Sequence, residues 1–178
     1  MKKRILSSLM ALIMAISLLP SSALAAGVDC SNGDTCQEHE AAVTVNGVTT
    51  HYDTIGEAIH AAAGVNASGG EVKLLQDATL VGTDVSQDDN NLQQKTTFIY
   101  KDMTLDLGNH TLTCNDPRGF VVQPGVHFTI KNGTYKNDLL YATGIEASKS
   151  AQTGAITGCT VTIDNATVQA SFSCVYAT

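Results

Sequence analysis

The chain has no tryptophan, only 5% aromatic residues, and 10 Lys and Arg against 17 Asp and Glu. The acidic excess repels the phosphate backbone. Nucleic acid is therefore excluded as a natural partner, and anionic membrane surfaces are disfavoured with it. Anionic polysaccharide is disfavoured too, unless a divalent cation bridges the two. Scarce aromatics leave few flat faces on which a sugar can stack. The longest apolar run, Ile5 to Leu19, is short for a membrane span, which needs about 20 residues.

What is there begins with that run. Lys2, Lys3 and Arg4 precede it, and Ala23-Leu24-Ala25 follows as a small-x-small cleavage site. This is the pattern of a secretory signal peptide over residues 1–25. It predicts a secreted protein, extracellular or at the cell surface, with no transmembrane segment after cleavage. The remainder is one domain's worth of chain. Loss of Lys2, Lys3 and Arg4 makes it more acidic than the formal net charge of −7.

The five cysteines are 30, 36, 114, 159 and 174. Export permits disulfides. In the polar segment 26–42, Cys30 and Cys36 suggest a small disulfide loop. The alternative is a metal clip of Cys30, Cys36, His39 and His51, although this irregular spacing is a weak zinc pattern.

Three segments carry the fold. LDLGNHTL (105–112), FTIKNGTY (128–135) and VTIDNATV (161–168) each read apolar-x-apolar-x-Asn-x-Thr-apolar. Recurrence at about 20–50 residues is the signature of stacked repeats. Met103, Leu105 and Leu107 share one face of an alternating pattern, as do Val126, Phe128 and Ile130, and Cys159, Val161 and Ile163. Period 2 with one apolar face predicts half-buried strands. Gly108-Asn109, Lys131-Asn132 and Asp164-Asn165 then bend the chain, because Asn tolerates left-handed backbone. Aligning Leu105 with Phe128 and Val161 stacks Asn109, Asn132 and Asn165 as an amide ladder. The Asn-x-Thr sequons are then by-products of the bend and of an outward threonine column.

On these segments the chain resembles the right-handed parallel β-helix, or pectin-lyase-like, proteins. The resemblance covers roughly residues 43 to 178. It implies an all-β solenoid with three short sheets per rung and an Asn ladder at the bend. It specifies a fold better than a function. The first rung needs a cover. VTVNGVTTHY (43–52) predicts a hairpin around Asn46-Gly47, and Thr54-Ile55-Gly56-Glu57 is a capping box opening a helix that buries Ile55, Ala58, Ile59 and Ala62. His60 sits at that helix's boundary. EVKLLQDATL follows Gly69-Gly70 as the first stacked strand. The expected organisation is a signal peptide (1–25), a polar Cys-containing segment (26–42), hairpin, capping helix and first strand (43–80), a polar loop (81–97), and β-helix rungs (98–178). Phe172, Cys174 and Tyr176 restart the inward alternation before Thr178, in mid-rung. The expectation is the N-terminal portion of a longer solenoid, or an open end that meets a partner.

The chemistry implied by the fold finds little support. The family's lyases use Ca²⁺-binding carboxylates and a basic residue. Arg118 beside Asp116 is the one arginine after the signal peptide, in a loop, with no carboxylate cluster to hold the metal. Asp88-Asp89 resembles the acidic dipeptide of the polygalacturonases, whose companion motifs are missing. Asp84, Asp88 and Asp89 as Ca²⁺ ligands match no calcium loop. Cys114 and Cys159 have inward parity and read as small buried hydrophobes. No catalytic residue and no cofactor is assigned. The expected role is a secreted or cell-surface scaffold or adhesion module, non-enzymatic over this stretch, which presents Thr104, Asp106, Thr129, Thr162 and the Thr111 column to polysaccharide or a host surface protein. The rivals are the N-terminal part of a carbohydrate-active enzyme, a polysaccharide lyase or glycoside hydrolase with its catalytic rungs downstream, and a protein that assembles end to end through its open C-terminal rung.

Overall fold

The computed structural model describes residues 39–81, 96–147 and 158–177. The signal peptide, Cys30, Cys36, Asp84, Asp88 and Asp89 lie outside these residues. Within them the protein is mostly β-strand, with one short helix and a curled sheet.

The start matches the sequence pattern. Strands β1 (Ala41–Val45) and β2 (Val48–Tyr52) form an antiparallel hairpin closed at Val45 and Val48. Asn46 and Gly47 have φ of 51° and 80°, both left-handed, as a two-residue turn matching the strand twist requires. Helix α1 (Ile55–Ala63) follows, with Thr54 as N-cap accepting from the Glu57 N–H at 3.2 Å. The next N–H, that of Ile55, is taken by Glu40 Oε2 at 2.9 Å. Ile55, Ala58, Ile59 and Ala62 are fully buried, and His60 is exposed.

The remaining strands are β3 (Gly70–Leu74), β4 (Ala78–Leu80), β5 (Thr97–Ile99), β6 (Met103–Asp106), β7 (Thr111–Cys114), β8 (Phe120–Val122), β9 (His127–Asn137), β10 (Thr143–Ala147), β11 (Thr160–Ala170) and β12 (Ser173–Ala177). β3 pairs antiparallel with β1, and every later pairing is parallel. β6, β9 and β11 follow β3 in parallel; β7, β9 and β11 follow β4; β8, β10 and β12 follow β5. The chain visits these three rows in the same order on each pass.

The core fills the space between the rows. Met103, Leu105, Leu107, Leu112, Val126, Phe128, Ile130 and Tyr135 are buried as the alternation predicts. Phe120 packs on Phe128 and Tyr135, with centroids 5.2 and 4.9 Å apart and the ring planes tilted by 56° and 34°. Cys114 is fully buried.

Three expectations are corrected. First, the register is different before the bend. Leu105 pairs with Ile130 rather than Phe128, while Phe128 does pair with Val161. The reason is local. Leu107 to His110 form a tight turn with the His110 N–H on Leu107 O at 2.7 Å, and Gly108 and Asn109 have φ of 57° and 66°. That turn takes two more residues than the Asn132-Gly133 bend below it. Side-chain parity survives because the shift is even. Second, the third apolar set is not buried. Ile163 is 43% exposed, Cys159 is half-buried and Cys174 is exposed, as are Phe172, Val175 and Tyr176. β11 and β12 are the outermost strands of their rows, so among the described residues nothing packs on that side. Third, Asn109 does not complete the amide ladder, as shown next.

Candidate functional site

The bend column holds the densest polar network. The Asn165 amide donates to Asn132 Oδ1 at 3.2 Å, as a stacked ladder requires. The Asn132 amide then donates to Asp106 Oδ1 at 3.1 Å, and not to Asn109. All three asparagines keep left-handed backbone. The extra turn carries Asn109 out of line, and its N–H donates to Asn132 O instead. Asp106 Oδ1 also accepts the Gly108 N–H at 2.9 Å.

Lys131 Nζ lies 3.1 Å from Glu71 and 3.4 Å from Asp106, tying three strands together. Burial pushes the Asp106 carboxyl up. The Gly108 N–H, the Asn132 amide and the Lys131 charge outweigh burial and hold it below the ordinary carboxylate range. The Glu71 contact raises the Lys131 ammonium, against its own desolvation.

The observed register sharpens the outer face. Thr104, Thr129 and Thr162 stand in one row, and Thr111, Thr134 and Thr167 in another beyond the bend. Asp106, Lys131 and Asp164 form the row between. Beside the second threonine row lies a groove of about 420 Å³ lined by Glu40, Asp77, Ala78, Thr79, Thr111, Thr113 and Lys136. Its walls are set by backbone bonds. Asp77 Oδ1 accepts the Thr111 N–H at 2.8 Å, with His110 Nδ1 3.6 Å away, and Glu40 reaches up to the helix start. Lys136 leans toward Asp138 at 3.3 Å. Hydroxyls, carboxylates and one ammonium converge there without an aromatic ring. Such a set offers hydrogen-bond donors and acceptors and no face for stacking. Glu40, Asp77, Thr79 and Lys136 carried no signal in the sequence, since strands far apart in sequence bring them together.

Arg118 and Asp116 are structural. Arg118 grips Glu146 with two bonds, Nη2 at 2.6 Å and Nε at 2.9 Å, and its guanidinium lies 6.0 Å from the Phe98 ring centre. Asp116 is fully buried. Its two oxygens accept the Thr97 and Arg118 N–H groups at 3.0 and 2.9 Å. Its own carbonyl accepts from the buried Asn137 amide at 2.6 Å. Burial pushes the Asp116 carboxyl up to about 6, with the Arg118 and Thr97 N–H groups pulling it back. Burial also pushes the Cys114 thiol up to about 11 and raises the Tyr135 hydroxyl well above its usual range. Tyr135 donates to Gly144 O at 2.9 Å. The raised carboxyl of Asp116 does not line the groove.

No group of three or more His, Cys, Asp or Glu side chains is placed to hold a metal among the described residues. No described helix is long and apolar enough to cross a membrane. The chain matches no family model, no curated protein and no solved structure.

Proposed function

We propose that this chain is a right-handed parallel β-helix of the pectin-lyase-like kind, exported by its first 25 residues, and that it acts as a non-enzymatic surface scaffold whose outer face binds neutral, hydroxyl-rich glycan. The fold reading is supported by the three parallel rows visited in one order and by the hairpin and helix that cover the first strands. The observation that carries the function is the in-register threonine row Thr111, Thr134 and Thr167 running into the polar groove. Repeating hydroxyls about 4.8 Å apart suit a polymer with repeating hydroxyls. The test is nuclear magnetic resonance titration of the mature chain with neutral oligosaccharides. Shift changes along Thr111, Thr134 and Thr167 and at the groove residues Thr79, Thr113 and Lys136, lost in a Thr111→Val, Thr134→Val double variant, support the reading. Shifts absent or scattered over the surface overturn the glycan role. Release of unsaturated sugar from pectin overturns the non-enzyme role.

A second reading rests on the β11 and β12 side. Ile163, Phe172, Val175 and Tyr176 are exposed beside two strand edges, and such edges template pairing with another chain. In this reading a second copy covers them. Sedimentation mass that rises with concentration supports it, and a clean monomer counts against it.

A further inference from the structure

The connection from β9 to β10 breaks a rule of turn chemistry. The Ala142 N–H bonds Leu139 O at 3.1 Å and closes a β-turn over residues 139–142. The third residue of that turn, Tyr141, has φ of 63°. Glycine or asparagine normally fills such a left-handed position, and a bulky ring there is strained. Every other left-handed residue among those described is Asn or Gly. Packing does not offset the strain. Tyr141 is 76% exposed and Leu140 beside it 79%. The Tyr141 side chain makes no hydrogen bond or ring contact among the described residues.

The turn is nonetheless held firmly. Asn137 Oδ1 accepts the Leu139 N–H at 3.4 Å, and the Asn137 amide donates to Asp116 O and Thr143 O at 2.6 and 2.9 Å. Ser171, from the following pass of the chain, donates its hydroxyl to Leu139 O and accepts the Ala142 N–H at 3.0 Å. The Phe172 N–H bonds Ala142 O at 3.1 Å, so a second exposed aromatic residue stands on the next turn of the same corner. A strained residue that its surroundings over-determine points to a role beyond folding.

The corner adjoins the polar strip. Thr134 and Lys136 alternate with buried Tyr135 and Asn137 on β9 and so face outward. Lys136 Nζ then reaches Asp138 at 3.3 Å, at the foot of the turn. From Thr134 to Asp138 the strand covers about 13 Å, a span that a short oligosaccharide can bridge. Three exposed side chains fall far short of a stable protein interface, which takes about 20–30 residues a side. A single flat ring is enough for the C–H face of one sugar, and tyrosine adds a hydroxyl that can bond its rim. The groove has no ring of its own.

We infer that Tyr141 is a glycan-contacting residue, whose ring is the stacking platform for one pyranose of a neutral oligosaccharide that crosses the threonine row along β9. Leu140 and Phe172 border the platform. The inference rests on the glycan reading of that row and names the residue that gives it a preference for a sugar face.

The experiment is magnetic resonance titration of the mature chain with cellohexaose and with mannohexaose, following the Tyr141 ring and the Thr111, Thr134 and Thr167 signals together. The ring and the threonines should move with one affinity. Tyr141→Phe keeps the ring and should bind as the parent does. Tyr141→Asn removes the ring and suits the left-handed backbone. It should raise the melting temperature and weaken binding about fivefold, the worth of one stacked ring. Threonine signals that move while the Tyr141 ring stays still leave the glycan reading standing and overturn this inference. Unchanged affinity in Tyr141→Asn overturns it too, as does a lowered melting temperature, which would make the ring part of the packing. Tyr141 signals that move with protein concentration and no sugar present mark a contact between copies and overturn it as well. No movement of any signal removes the glycan reading and this inference with it.

Discussion

The Asn132 side chain donates to Asp106 Oδ1 at 3.1 Å, where an unbroken ladder would send it to Asn109. One carboxylate has replaced one amide in the column. The exchange gives the column a charge, which Lys131 balances from the next strand at 3.4 Å. It also makes Asp106 the residue that couples the Leu107–His110 turn to the bend below it.

Asn132 therefore carries two separable loads. Its amide bridges Asn165 and Asp106, and its backbone sits at φ 57°. Asn132→Gly keeps the backbone and removes the amide, costing about 1–2 kcal/mol for one part-buried and one exposed bond. Asn132→Ala adds the left-handed penalty of roughly 1 kcal/mol. Asn109→Gly costs less than either, since the Asn132 amide does not bond to that side chain. Urea midpoints of the three variants check the order, and equal losses at 109 and 132 would restore the unbroken ladder.

Gly119 tolerates no side chain. A Cβ there would lie 2.0 Å from Gly144 O and 2.7 Å from the Tyr135 hydroxyl, at φ 62°. Gly119→Ala forces β8 off β10 and breaks the Tyr135 bond to Gly144. The expected loss exceeds about 3 kcal/mol, in the range reserved for steric strain in a core. Thermal unfolding measures it, and a melting temperature within a degree or two of the parent would contradict the packing of this corner.

Two carboxyls give opposite pH dependence. Asp116 is raised from 3.8 to about 6, so folding favours its protonated form. Its contribution is fully present below the unfolded value and is lost as pH rises through about 6. Asp106 is lowered, so its contribution is present above the unfolded value and is lost as pH falls through the folded one. Asp116→Asn should flatten the decline in melting temperature between pH 4 and 6.5, by removing a charge that burial penalises. Asp106→Asn should flatten the acid side instead. Swapped effects, or none, would show that the environments of these two carboxyls are misjudged.

The thiols should react in the order of their exposure. Cys174 is exposed, Cys159 half-buried and Cys114 buried, with its thiol pushed up to about 11. A thiolate is the reacting form. Iodoacetamide at pH 8 should label Cys174 first and leave Cys114 untouched until the chain unfolds, as peptide mass mapping resolves. Early labelling of Cys114 would mean that the core between β7 and β9 is open.

Much of the architecture was legible because it depends on local rules. Asn46-Gly47 dictates a two-residue hairpin, Thr54 caps the helix, and alternation over 103–107 and 126–130 assigns the inward faces. Each of these is settled by backbone geometry or period within a few residues. The stacking of Phe128 on Val161 was legible too, because those two segments match without a gap.

What the tertiary structure alone decided is where separate segments meet. The register of Leu105 against Ile130 turned on a tight turn whose extra residues leave the side-chain period unchanged, so pattern matching could not detect it. The groove assembles Glu40, Asp77, Thr111 and Lys136 from four distant places in the chain. The burial of Asp116 and the exposure of Ile163 follow from what packs against each. Local sequence sets which face a side chain takes, whereas only neighbouring strands determine whether that face is covered.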